Sequence, residues 1–291
     1  MEKLKSLRIY IKEAEEKGVA IGHFNISNLE GLHAIYNEAK KLNLPVIIGV
    51  SEGEEKFVGT EEAVALVKTI RERDNFPIFI NADHHSSFES VKKCIDAGFD
   101  MVIIDGADLT FDDNVKHTKM CVDYAKEVSK LTGRDILVEA ELGYIGSGSN
   151  IKDEIPEGAG IKTDPLEAEK FVKATGIDLL APSIGSVHGL IKSGKPHIDG
   201  HLARDIRDIT GIPLVLHGGS GLRDEDFINA IASGVAIVHI NSELRLAYRQ
   251  AVEKSLDENE KEIAPAKLLQ GAVEAMEHIV ENRLKLFNNI K

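Results

Sequence analysis

The chain has 291 residues, 48 of them acidic and 35 basic, and a formal net charge of -13. A field of this sign repels polyanions, which argues against nucleic acid or an anionic membrane surface as a partner, although a small anion can bind where backbone amides gather. Two cysteines are too few for a disulfide framework, and the sequence has neither an apolar signal core nor an apolar run of roughly 18 residues. We therefore expect a cytoplasmic protein.

Eight short β-rich runs alternate with longer segments of helical period along the chain. The expected strands are residues 19–25, 46–50, 78–83, 101–105, 136–141, 179–183, 214–217 and 236–240. The helices expected between them are residues 28–42, 60–73, 86–97, 112–131, 164–175, 198–210 and 223–232. A further helix at 6–17 could plug or flank the floor of a barrel, and helices at 242–256 and 265–287 could form an oligomer interface.

This alternation predicts an α/β fold, a TIM (β/α)8 barrel with extra N-terminal and C-terminal helices that occupies residues 1–291 as a single domain. The competing architecture, a doubly wound open sheet, predicts a Gly-x-Gly-x-x-Gly turn after an early strand, and the early strands lack it. Two irregular stretches, 143–163 and 189–200, each follow a strand. Because long loops in a compact domain usually bind ligands or act as lids, we expect both at the active face.

Three histidines stand at or just after the ends of expected strands, namely His84, His188 and His217. A lone histidine is usually a core or surface side chain, but strand ends of a barrel meet on one face, and three imidazoles there predict a catalytic zinc site with an open fourth position. Glu139 and Glu141, two apart in one strand, face the same way and need a cation or an imidazole as partner.

Asp83 directly precedes His84, which favours a general acid/base acting on a substrate hydroxyl beside the metal. The alternative is an N-cap for the helix that begins near Ser86. The run from His217 to Gly221 contains glycines that let backbone amides turn toward one anion, and Asn241-Ser242 at the last strand end could complete a phosphate cradle. A simple strand-to-helix turn is the other interpretation of that run.

Taken together, residues 83–85, 139–143, 185–189, 216–221 and 240–243 resemble the zinc-dependent class II fructose-bisphosphate/tagatose-bisphosphate (ketose-bisphosphate) aldolase family. The resemblance implies Zn2+ on His84, His188 and His217, proton transfer at the C4 hydroxyl by Asp83, and Glu139 and Glu141 as supporting or alternative metal carboxylates. The substrate contacts it implies are Asn25, Ser51, Gly189, Lys192, Gly218, Gly219, Ser220, His239, Asn241 and Ser242. It also implies a sodium or potassium ion beside the phosphate, and we expect a homo-oligomer, a dimer or a tetramer.

The activity implied is that of a lyase of glycolysis and gluconeogenesis, which cleaves fructose 1,6-bisphosphate reversibly to dihydroxyacetone phosphate and glyceraldehyde 3-phosphate through a zinc-stabilised enediolate. Tagatose 1,6-bisphosphate, the C4 epimer, remains open as the substrate. A Schiff-base route is disfavoured because no expected strand contains a lysine. A metal-assisted hydrolase and a non-catalytic sugar-phosphate-binding relative are the remaining alternatives.

Two positions depart from the family pattern. Many relatives carry Gly-Gly-Glu-Glu-Asp or Gly-Gly-Gln-Glu-Asp in the loop after the fifth strand, where this chain has Gly-Ser-Gly-Ser-Asn at residues 146–150. Asp153 or Glu154 could replace the missing proton carrier if the loop folds over. Relatives also commonly have asparagine where this chain has His239, so an imidazole could hydrogen-bond the substrate or alter its preference.

Overall fold

The computed structural model describes residues 4–146, 148–159, 161–194 and 196–291. Eight parallel strands close into a barrel. These strands are β1 (Ile21–Asn25), β2 (Val46–Ser51), β3 (Ile78–His85), β4 (Met101–Ile104), β5 (Leu137–Leu142), β7 (Leu179–Pro182), β9 (Leu214–Leu216) and β10 (Val235–Ile240). Each strand pairs with the next in this order, and β10 pairs with β1. The predicted TIM barrel is confirmed, and each predicted strand is present with its ends shifted by no more than two residues.

All ten predicted helices are present, together with one that was not predicted. They are α1 (Leu7–Lys17), α2 (Leu29–Leu42), α3 (Glu52–Val58), α4 (Thr60–Asp74), α5 (Phe88–Ala97), α6 (Phe111–Thr132), α7 (Pro165–Thr175), α8 (Gly200–Thr210), α9 (Asp224–Ala232), α10 (Ser242–Glu258) and α11 (Pro265–Phe287). The unpredicted helix is α3, which begins with a capping box between Ser51 and Glu54. Among the described helices, none combines the length and apolarity that crossing a membrane requires.

The two stretches predicted to be irregular are joined by a small sheet outside the barrel. Its two strands are β6 (Ile151–Lys152) and β8 (Leu190–Ile191), which pair in parallel. Since these loops follow β5 and β7, which are neighbours in the barrel, the pairing ties the two loops together above the carboxyl ends of the strands.

Alternation along the strands separates an apolar floor from a polar mouth. In β3, Phe79 packs inside the barrel beside Ile11 of α1, whereas Ile80 and Ala82 pack under the surrounding helices. Helix α1 therefore closes the floor, as predicted. Farther along β3, Asn81 and Asp83 lie on the same inward face as Phe79 and are buried. The polar side chains consequently gather at the end of the barrel opposite α1.

Candidate active site

A break in β3 presents two consecutive side chains to one cleft. The register with β4 shifts between Ala82 and His85, and His84 has φ of 50°, the left-handed conformation that non-glycine residues rarely adopt. Neighbouring residues of a regular strand point to opposite faces. Because of the irregularity, Asp83 and His84 both line the cleft, while His85 is buried on the outer side of the barrel wall near Cys94 of α5.

The three predicted metal ligands lie close together at the mouth of the barrel. The ring centroids of His84 and His217 are 4.7 Å apart, those of His84 and His188 are 4.8 Å apart, and those of His188 and His217 are 5.6 Å apart. One ligand atom from each ring and one oxygen of Glu141 all lie within 4.8 Å of one another. The sequence placed these imidazoles at strand ends, and the fold brings them together.

In each of these three rings, one nitrogen lies beside an oxygen of the protein. Asp105 Oδ2 is 2.8 Å from His84 Nδ1, the Gly146 carbonyl is 2.6 Å from His188 Nδ1, and Glu139 Oε1 is 2.7 Å from His217 Nε2. Metal-bound imidazoles typically have such partners, which fix the ring and its tautomer. The nitrogens left facing one another are His84 Nε2, His188 Nε2 and His217 Nδ1.

Spacing and charge both fit a divalent cation in this cluster. His84 Nε2 and His217 Nδ1 are 3.0 Å apart, compared with about 3.4 Å for two nitrogens bound tetrahedrally to zinc. Burial raises the pKa of Glu141 well above its ordinary value, and nearby Asp105 raises it further. Burial opposes the charge on His84, but Asp83 and the other nearby carboxylates raise its pKa to about 10. Several carboxyl groups therefore surround the free nitrogens and favour a positive charge there, which a cation would supply.

Asp83 is held from both sides and does not cap a helix. Asn25 Nδ2 donates to Asp83 Oδ2 at 2.8 Å, and His239 Nδ1 lies 3.4 Å from Asp83 Oδ1. The N-cap of α5 is Ser87, whose hydroxyl accepts from the backbone of Ser90, so the capping alternative for Asp83 is wrong. Although burial opposes it, the charge of His84 holds the pKa of Asp83 well below its ordinary value. Asp83 is therefore an ionised carboxylate at the cleft, as a general base must be.

His239 is stacked between two other imidazoles. Its ring lies 3.5 Å from His23 at an interplanar angle of 4°, and 4.2 Å from His217 at 25°. His23 points into the barrel and lies 3.0 Å from the side-chain nitrogen of Asn81. Burial lowers the pKa of His239 well below its ordinary value, and the neighbouring His23 and His217 lower it further. His239 is therefore a neutral ring whose plane is fixed beside Asp83.

The glycine run after β9 approaches neighbouring backbone too closely for any side chain. Gly218 has φ of 63°, and a Cβ there would lie 2.7 Å from the carbonyl carbon of Val187. A Cβ on Gly219 would lie 2.7 Å from the carbonyl oxygen of His239. Ser220 Oγ accepts from the backbone nitrogen of Asn241 at 3.3 Å. The turn is thus held against the N-terminus of α10, a favourable place for an anion.

The loop after β5 covers this cradle. Ser242 Oγ donates to the carbonyl of Ser149 at 2.9 Å, and Asn241 Nδ2 lies 3.3 Å from Ser149 Oγ. Among the described residues, the cleft is lined by Asn25, Asp83, His84, Ser149, His188, Gly189, Gly218, Gly219, Ser220, His239, Asn241 and Ser242. His84 and His188 of the metal cluster therefore share one cavity with the cradle. The third ring, His217, is fully buried and lies 3.0 Å from His84.

Besides buried residues of the metal cluster, four predicted residues lie outside that lining. Lys192 pairs with Asp153 at 2.9 Å, and their side chains are 66% and 87% exposed. Glu154 is also exposed, so in this conformation neither acid replaces the loop carboxylate that relatives carry. Ser51 donates to Glu54 at the start of α3. Ser147, part of the aligned loop motif, lies outside the described residues.

The structure also gives roles to residues that the sequence did not single out. Asp105, directly after β4, holds His84. Glu54 is buried and accepts from Asn25 Nδ2 at 2.9 Å, and Arg245 of α10 contacts its other oxygen. The Ser-x-x-Glu spacing of Ser51 and Glu54 was a readable signal for α3. Nothing in the sequence indicated the carbonyl of Gly146 as a partner of His188.

Known proteins resemble the chain over nearly its whole length. The family described as fructose-bisphosphate aldolase class-II matches residues 5–291. A fructose-bisphosphate aldolase of Geobacillus stearothermophilus is 40% identical over 289 residues, which span 98% of this chain and 97% of the relative. One from Staphylococcus aureus (strain Mu50) is 39% identical over 287 residues, with coverage of 98% and 97%. The crystal structure of the YdjI aldolase of Escherichia coli K12 has 30% identity and a TM-score of 0.81, with coverage of 97% and 96%.

Proposed function

The chain belongs to the class II fructose-bisphosphate aldolase family, whose members are lyases and generally depend on zinc, and we propose that it cleaves fructose 1,6-bisphosphate reversibly to dihydroxyacetone phosphate and glyceraldehyde 3-phosphate. The observation that carries this proposal is one cavity that combines two imidazoles of the metal cluster, a buried ionised aspartate and a glycine-lined cradle, with the third imidazole, His217, 3.0 Å from His84. A metal-assisted hydrolase would not require a phosphate cradle beside its metal.

We assign the zinc to His84, His188 and His217, because each ring already has a partner on its opposite nitrogen. When bound, zinc would act as a Lewis acid on the C2 carbonyl and absorb the negative charge that develops as the carbon–carbon bond breaks. Glu139 orients His217, and the orphaned oxygen of Glu141 lies beside the ligands. The lysine route has no candidate amine, since none of the eight barrel strands contains a lysine.

Asp83 takes the proton of the C4 hydroxyl in the cleavage direction and returns it in condensation. Asn25 occupies Asp83 Oδ2, whereas Oδ1 has no hydrogen-bond partner among the described residues and is the oxygen free to take the proton. His239 beside Oδ1 fixes the direction in which that oxygen faces. The amides of the run from Gly218 to Ser220, with Asn241 and Ser242, bind the phosphate of the three-carbon donor half.

The proposal also includes a bound sodium or potassium ion and a homo-oligomeric assembly, because the resemblance to the family implies both. Backbone carbonyls at the cradle are the expected ligands of the monovalent ion. Replacing potassium by a bulky organic cation at constant ionic strength should then weaken substrate binding, seen as a raised KM. Sedimentation analysis should give a dimer or a tetramer.

The test of the proposal is a triose-coupled assay on zinc-loaded protein with fructose 1,6-bisphosphate and its tagatose epimer as alternative substrates. EDTA should abolish triose release and zinc should restore it. Asp83→Ala should lower kcat by at least roughly 10²-fold while zinc content is unchanged. Release of inorganic phosphate without a triose would refute the aldolase assignment. Tight binding of both sugars without turnover would instead indicate a sugar-phosphate-binding protein that has lost the loop carboxylate.

A further inference from the structure

A second cluster of metal-ligand side chains lies outside the barrel wall, away from the cleft. It consists of Glu55 on α3, His85 on β3 and Cys94 on α5. All three are buried: His85 and Cys94 are 0% exposed and Glu55 is 8% exposed. Cys94 Sγ is 2.7 Å from Glu55 Oε1 and 3.8 Å from His85 Nε2, and His85 Nε2 is 3.8 Å from Glu55 Oε1.

The ring of His85 has a backbone hydrogen-bond partner, Val50, and three side chains of metal-ligand type around it. The side-chain contacts of its ring nitrogens are Cys94 Sγ at 3.8 and 4.0 Å, Glu55 at 3.8 Å and Glu52 at 3.9 Å. None of these side-chain contacts is a hydrogen bond of ordinary length. A buried imidazole that has a backbone partner and lies close to a thiol and a carboxylate has the surroundings of a metal ligand.

Charge and donor type indicate which ligand fits. A thiolate and a carboxylate together would neutralise a divalent cation. Without a metal, the nearest cation to the buried carboxylate of Glu55 is Lys93 Nζ, 3.7 Å away. A directly bound cation would compensate a buried carboxylate better than this distant ammonium group. Sulfur, imidazole and carboxylate together suit Zn2+ or a similar borderline metal rather than Mg2+ or Ca2+. Burial raises the pKa of the Cys94 thiol strongly, and the metal would release that proton on binding.

We propose that Glu55, His85 and Cys94 form a second, structural site for a zinc-like divalent cation, which joins α3 to β3 and α5. The site does not depend on the proposed catalytic function. A metal at this site would also stabilise the cleft through α3, because Asn25 Nδ2 donates hydrogen bonds both to Glu54 of that helix and to Asp83. The backbone of Val50, which is hydrogen-bonded to the His85 ring, is placed to orient it.

Cobalt titration of metal-free, full-length protein tests this site, because a thiolate bound to Co2+ gives a near-ultraviolet charge-transfer band that an all-histidine site cannot give. The chain has two cysteines, so Cys121→Ser leaves Cys94 as the sole thiol. That variant should bind two equivalents of Co2+ and show the band for one of them. A second variant, His217→Asn, removes a ligand of the cleft and should retain the band.

Cys121→Ser protein that shows no thiolate band at saturating Co2+ would overturn the proposal, whatever the number of equivalents bound at the cleft. Cys94→Ser and His85→Asn should each lose the band and one equivalent of metal. If either replacement prevents folding, the spectrum of Cys121→Ser still decides the question, because no other thiol is present. Triose release is not part of this test, so failure of the aldolase assignment would leave its outcome unchanged.

Discussion

Removing the carboxylate of Asp105 should weaken zinc binding without removing a ligand. Asp105 Oδ2 lies 2.8 Å from His84 Nδ1, and Asp105 Oδ1 accepts from the backbone of Ala107 at 3.1 Å, so the acid is itself held in place. A hydrogen bond to a charged group contributes about 1.5–3 kcal/mol. Loss of such a supporting partner typically costs about 10–100-fold in metal affinity, or about 1.4–2.7 kcal/mol. The two estimates agree, and we expect that loss for Asp105→Ala.

The assay is competition for zinc against a chromophoric chelator at fixed pH. Asp108→Ala removes the same charge from an exposed position in the same loop and should leave the zinc affinity within about twofold of the original. Asp105→Asn keeps an oxygen that can accept from Nδ1 and should fall between the two. At saturating zinc, Asp105→Ala should recover most of its turnover, since no ligand is lost. Equal zinc affinity for Asp105→Ala and Asp108→Ala would refute the assignment of Asp105 to His84.

Three further outcomes follow from the site. Metal-free His84 has its pKa raised to about 10, whereas the pKa values of His188 and His217 are lowered to about 3. Zinc binding at pH 7–9 should therefore release at least the His84 proton, and affinity should rise about tenfold or more per pH unit, which calorimetry in buffers of different ionisation enthalpy would detect. Because Gly218 has a positive φ and closely approaches Val187, Gly218→Ala should lower the free energy of unfolding, measured in urea, by about 1–3 kcal/mol and should weaken the binding of inorganic phosphate. The control is Gly53→Ala, whose Cβ meets open space and which should have neither effect. Borohydride with substrate should leave no covalent adduct on the protein, and a mass increase would contradict the metal route.

The sequence by itself determined the barrel, because period and punctuation agree along the whole chain. Buried parallel strands are short β-rich runs, and the helices between them carry apolar residues at three- and four-residue spacing. It also indicated the chemistry available at the mouth, since strand ends share one face of the barrel. It did not decide which histidine enters the cleft: His84 does, whereas His85 beside it is buried outside the barrel wall. Helix α3 was missed although Ser51 and Glu54 carried its signal, because seven residues are too few to show a helical period.

Contacts between residues distant in sequence required the tertiary structure. The pairing of Asp105 with His84, the carbonyl of Gly146 beside His188, and the stacking of His23 on His239 each join separate strands or loops, and no local pattern encodes which side chains meet. The left-handed conformation of His84 could not be predicted from the sequence either. It accompanies the irregular pairing of β3 with β4 and is contrary to the backbone preference of a histidine. Local preferences and periodicity act within an element and so appear in the sequence, whereas the orientation of a buried polar side chain depends on the neighbour that closure of the barrel brings to it.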